Sequence, residues 1–185
     1  MLLKSYYMIK NFTKTAILCL VIGTSFTACK KDSNTKPPAS NDTYSMKFTS
    51  NGTAVSYNTC AVADVEVNSN KYTEFIGLNG KNTDNSFQVE VVADYTKLKA
   101  GQTYKVTADY LAQGTAILFY SPNGTNYFNS QPEAPEGTVT ITEATSTTVK
   151  GTFSGKLYSA DDYSGTTLKY TITNGTFVAQ MPYGN

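Results

Sequence analysis

Phe87-Gln88-Val89-Glu90-Val91-Val92-Ala93-Asp94 decides the fold class. Phe87, Val89, Val91 and Ala93 fall on one face of an extended chain, with Gln88, Glu90 and Asp94 on the other. A period of two is the mark of a half-buried β-strand, because successive side chains point to opposite faces of a sheet. The same period continues on the C-terminal side of this stretch. Val139 and Ile141 alternate with Thr138, Thr140 and Thr142, while Val149, Gly151, Phe153, Gly155 and Leu157 share one face. Leu168, Tyr170 and Ile172 form another apolar set, and Phe177, Ala179 and Met181 close the chain. Ala116-Ile117-Leu118-Phe119-Tyr120 is continuously apolar, as expected of a central strand covered on both faces.

Asn-Gly pairs at 51–52, 79–80, 123–124 and 174–175 supply the turn chemistry, since both residues tolerate the positive φ of type I′ hairpin turns. The expectation is a single all-β domain over residues 44–185. It takes the form of an antiparallel β-sandwich or flattened β-barrel of about eight to ten strands, mostly in sequence order. A lipocalin-like closed barrel is the alternative. Residues 127–137, with Pro132 and Pro135, read as the main irregular region, and residues 108–113 as a short helical turn.

Before the domain the composition changes. Lys4, Lys10 and Lys14 precede an apolar run, Ala16 to Phe26, of about eleven residues, too short to span a bilayer. Residues 1–28 therefore read as an export signal, with Met1 or Met8 as its start. Phe26-Thr27-Ala28-Cys29 resembles the lipobox of bacterial lipoproteins, with Phe26 in place of the usual Leu. The resemblance implies that Cys29 becomes the lipidated first residue of the mature chain, and two or more acyl chains anchor a protein stably. Residues 29–43, with Pro37-Pro38 and no apolar periodicity, read as a tether of roughly 20 Å.

Composition excludes several functions. All 15 basic residues are Lys and there is no His. Removal of Lys4, Lys10 and Lys14 leaves 12 Lys against 14 acids, a net charge of −2. That is the wrong sign for nucleic acid, and no Arg is present to read base edges. Without His, the Ser-His-Asp and Cys-His arrangements and the usual zinc sites fall away, so neither a cofactor nor a metal is expected. Ser33-Asn34-Thr35-Lys36 lies in the Pro-flanked tether, and Gly151 to Lys156 is one residue short of a P-loop and alternates as a strand. Cys60 is the one thiol of the domain and reads as a buried free cysteine. The acids Glu66, Glu90, Asp84, Asp161 and Asp162 fall at outward strand positions or in turns and read as solvated surface; Asp161-Asp162 lacks the dense spacing of a Ca²⁺ loop.

Aromatics are the suggestive feature. Tyr120, Tyr127, Phe128, Tyr158 and Tyr163 fall near expected strand ends or loops, where exposed rings would suit a glycan or an envelope protein. These five are the candidate ligand-binding residues, and the expected function is a non-enzymatic binding or interaction module. A carrier of a small apolar ligand and a carboxylate-based hydrolase are the alternatives.

Leu98-Lys99-Ala100-Gly101-Gln102-Thr103-Tyr104, then Gly137 to Glu143, Val149 to Gly155 and Leu168 to Phe177 follow one another in an order that resembles an uncharacterised family of Bacteroidota lipoproteins. Its members pair a lipobox with a domain of this pattern. The resemblance implies an outer-membrane address, with the membrane as partner through Cys29. It implies no catalytic or binding residues.

Overall fold

A computed structural model describes residues 44–67, 69–80, 82–107, 112–125, 127–128, 136–159 and 167–181, all within one compact unit, Asn41–Asn185. The export signal, Cys29 and the tether lie outside the described residues, as do Tyr163, the Asp161-Asp162 pair and most of the helical turn expected at 108–113.

Among the described residues eleven strands build the domain, against the expected eight to ten. They are β1 (Ser45–Ser50), β2 (Thr53–Tyr57), β3 (Thr59–Val67), β4 (Asn70–Asn79), β5 (Asn82–Val91), β6 (Thr103–Val106), β7 (Thr115–Ser121), β8 (Tyr127–Phe128), β9 (Gly137–Ala144), β10 (Thr148–Ser159) and β11 (Leu168–Gln180). One 3₁₀ turn, Tyr95–Lys97, follows β5, started by Asp94, whose carboxylate accepts from the Thr96 N–H. Of the deciding stretch 87–94, residues 87–91 lie in β5, with Phe87, Val89 and Val91 fully buried, and residues 92–94 follow its end.

One continuous sheet runs β2-β1-β11-β10-β9-β6-β7-β5-β4-β3. The two-residue β8, inside the region expected to be irregular, pairs with both β10 and β7. Several features depart from the expected antiparallel, sequential order: β6 pairs with β9 and β5 with β7, and two more stand out. The first and last strands pair, β1 with β11, and β6 runs parallel to β7 after the chain crosses over between them. The sheet folds on itself, so that β3 and β4 pack against β11, β1 and β2. Its edges β2 and β3 do not pair among the described residues. The flattened sandwich therefore holds, and the lipocalin-like closed barrel does not.

The interior is filled by rings from both layers. Phe48 meets Phe87 at 4.4 Å between centroids, Phe87 stacks on Phe153 at 5.0 Å, and Phe75 stacks on Phe177 at 4.4 Å. Each such ring, fully buried, contributes roughly 1.5–3 kcal/mol of apolar transfer. Inward-facing glycines make room for them. A Cβ at Gly77 would lie 2.9 Å from both Met46 Sδ and Tyr57 Cδ2, so this glycine admits the opposite layer.

The four Asn-Gly pairs take different parts. Asn51 (φ 47°) and Gly52 (φ 82°) form the two-residue type I′ turn between β1 and β2. The Asn51 side-chain amide donates to the Lys169 carbonyl, and its Oδ1 accepts from the Thr171 N–H, both at 2.8 Å, which ties the turn to β11. Asn79 ends β4, with its Oδ1 accepting from the Asn58 N–H at the β2–β3 corner. Asn123-Gly124 lies in the β7–β8 connection, where the Gly124 N–H donates to the Asp84 carbonyl at 2.6 Å. Asn174-Gly175 is not a turn. It sits inside β11 as a β-bulge, with Asn174 at φ 52°. The bulge joins two alternations of opposite parity, Tyr170 and Ile172 before it and Phe177 and Ala179 after it, so that both face the core.

Candidate binding surface

Strand pairing gathers four of the five candidate aromatics around β8. Tyr127 stands opposite Tyr120 on one side and Ser159 on the other, and Phe128 opposite Phe119 and Tyr158. The structure nevertheless corrects the expectation for two of them. Tyr120 is only 7% exposed, its ring 5.5 Å from Phe48 and 5.0 Å from Tyr170, and it belongs to the core. Tyr158 is equally buried. Both are buried within strands, so they are packing residues and not an exposed platform. For Tyr127 and Phe128 the described structure extends to backbone pairing.

The outer face of β6, β9, β10 and β11 carries a different arrangement. Thr103 pairs with Thr140, Thr140 with Thr152, and Thr152 with Thr176, so four threonines from four neighbouring strands stand in one row. Their inward neighbours Tyr104, Val139, Phe153 and Phe177 are buried, which leaves the threonines on the outside. Strands spaced about 4.7–4.9 Å apart repeat the hydroxyls at that interval. The Thr103 and Thr140 hydroxyls hydrogen-bond at 3.0 Å.

Beside this row the bulge in β11 opens a shallow hollow of about 400 Å³. Thr138, Thr152, Ser154, Asn174 and Thr176 line it, with Phe153 and Gly175 at its floor. A Cβ at Gly175 would stand 2.5 Å from both the Phe153 ring and the Phe153 carbonyl, so the glycine is what lets the ring lie there. Every polar side chain lining the hollow is neutral, a hydroxyl or an amide. The flanking cations, Lys47 opposite Thr176 and Lys105 opposite Thr138, are set outside it.

A second constellation lies on the outer face of β4 and β5. Glu74 and Glu90 are direct cross-strand partners, in a row Ala63-Glu74-Glu90-Ile117 over β3, β4, β5 and β7. Glu90 is 5% exposed, which corrects its reading as solvated surface; Glu66 and Asp84 are exposed as expected. Burial pushes Glu74 up to about 7, and burial together with the charge of Glu74 pushes Glu90 up to about 8. Tyr72, Ile76, Val92 and Ile117 are buried on the same face. Cys60 is buried and free, with its thiol pushed up to about 12 by desolvation.

Sequence reading singles out neither the threonine row nor the glutamate pair. Thr-x-Thr at 138–140 is visible as alternation, but its alignment with Thr103, Thr152 and Thr176 depends on register across distant strands. Comparison with protein-family models, with curated proteins and with solved structures returned no match for this chain.

Proposed function

We propose that this chain is an outer-membrane lipoprotein of the Bacteroidota type, anchored through acyl chains on Cys29, whose β-domain is a non-enzymatic module that binds glycan. The observation that carries the glycan reading is the neutral hydroxyl and amide lining of the hollow beside the threonine row. Sugars offer hydroxyls that donate and accept alike, and Thr, Ser and Asn side chains match them without the desolvation cost of a charge. The aromatic filling of the interior favours a ligand held on the surface over one enclosed in a barrel. The export signal, the lipobox resemblance and the tether support the membrane address.

Affinity electrophoresis of the full chain through gels holding soluble polysaccharides tests the glycan reading. Thr152→Val and Thr176→Val keep the shape and remove the hydroxyl. Each should weaken retardation about 2- to 10-fold, the worth of a neutral hydrogen bond, at unchanged melting temperature and with little dependence on salt. Retardation equal to wild type in both variants, or none by any polysaccharide, overturns the reading. Metabolic labelling with a palmitate analogue tests the anchor: Cys29→Ser should lose label and membrane fraction together.

A further inference from the structure

The glutamate pair has no part in the reading above, since it lies on β4 and β5 and the hollow on β9, β10 and β11. Direct cross-strand pairing sets the Cβ atoms of Glu74 and Glu90 about 4.5–5.5 Å apart on one face, an arrangement that destabilises a sheet when both residues carry the same charge. Burial sharpens the conflict. Glu90 is 5% exposed, and among the described residues neither carboxyl has a hydrogen-bond or ion-pair partner.

The described neighbours on that face bring no positive charge. Ala63 and Val65 come from β3, Tyr72 and Ile76 from β4, Gln88 from β5 with Val92 just beyond its end, and Ile117 from β7. Lys71 is engaged elsewhere, 3.2 Å from Asp94. A buried carboxylate without a partner is strongly disfavoured: it takes up a proton or, where it stays ionised, is paired or coordinates a metal. Two ionised carboxylates and one doubly charged cation together are neutral, which removes the repulsion and offsets the burial penalty in part.

We infer that Glu74 and Glu90 are the protein ligands of one hard divalent cation, Ca²⁺ or Mg²⁺, held on the outer face of β4 and β5. Carboxylate oxygens are the ligands such ions prefer, and an ion that retains several waters is held by one or two carboxylates. No third acid or cysteine joins the pair among the described residues, so water completes the shell. Gln88, two residues before Glu90 on the same face, is placed to add its amide oxygen. Glu74 is partly exposed and gives the ion its way in.

The test uses the full chain in detergent, stripped with a chelator and held at mildly alkaline pH. Addition of CaCl₂ or MgCl₂ should raise its melting temperature saturably, as expected for a ligand that binds only the folded state. Calorimetric titration of the wild type should give about one ion per chain, the stoichiometry of a single site. Glu74→Gln and Glu90→Gln, which keep shape and lose charge, should abolish the rise, whereas Glu66→Gln at an exposed acid should retain it. A wild-type melting temperature and titration indifferent to both ions overturn the inference. So does an equal rise in the two Gln variants, or the same rise from an alkylammonium salt at matched ionic strength. The wild-type titration decides the matter even if a variant fails to fold.

Discussion

Phe75 on β4 and Phe177 on β11 stack with their centroids 4.4 Å apart and their planes 25° from parallel. The two strands are far apart in the sheet path, so this contact spans the core between its two folded halves. Phe177 also covers Gly151 of the adjacent β10, which has no side chain to compete for the volume. Phe177→Ala should therefore leave a cavity bounded by both layers and cost about 3–5 kcal/mol. Equilibrium urea unfolding measures it, and a loss under about 1 kcal/mol would show that the layers close over the gap.

The bulge and the hairpin turn, alike in sequence, should respond differently to alanine. At Gly175 a Cβ would collide with the Phe153 ring and carbonyl at 2.5 Å. Gly175→Ala should cost about 3 kcal/mol, the upper range of overpacking. At Gly52 nothing lies within 4 Å, and only the φ of +82° opposes a side chain. Gly52→Ala should cost about 1–2 kcal/mol, the left-handed penalty alone. Chemical denaturation of the two variants side by side checks the order.

Cys60 should be inert in the folded protein. Burial raises its thiol to about 12, so at pH 8 only about one molecule in ten thousand carries the reactive thiolate. Iodoacetamide should leave the Cys60 peptide unmodified in native protein and label it fully in denaturant, as read by mass spectrometry. Rapid native labelling would mean that the β3–β4 edge opens frequently.

Asp94 gives the acid limb of stability a specific contributor. The Thr96 hydroxyl and N–H, at 2.7 and 3.0 Å, hold its carboxyl down to about 2, with Lys71 assisting. A carboxyl lower in the folded state than in the unfolded one stabilises fully above its unfolded value near 3.8 and loses that contribution as pH falls toward 2. Asp94→Ala should thus be less stable than wild type at neutral pH, and the gap should close as pH falls through this window. A gap independent of pH would indicate that the loss comes from the turn backbone.

Alternation made the strands legible because it is local: whichever strands become neighbours, Phe87, Val89 and Val91 must share a face. For the same reason the inward sets at 139–141, 149–157 and 177–179 stand where alternation put them. Turn chemistry was less decisive. Asn51-Gly52 closes a hairpin, but Asn174-Gly175 supplies the same left-handed geometry within a strand, and only pairing of β11 with β1 and β10 selects a bulge there.

The outward faces were beyond local reading. Tyr120, Tyr158 and Glu90 all occupy positions that alternation or strand ends mark as accessible or solvated, yet all three are buried. Whether an outward residue meets water depends on which distant segment covers it, and a strand's own sequence carries no record of its cover. Period two determined the class of fold and the core faces, and the cysteine count determined the free thiol. The pairing of first strand with last, the row of threonines and the opposed glutamates were decided by tertiary structure alone, because register between strands is a property of the folded sheet and not of any one segment.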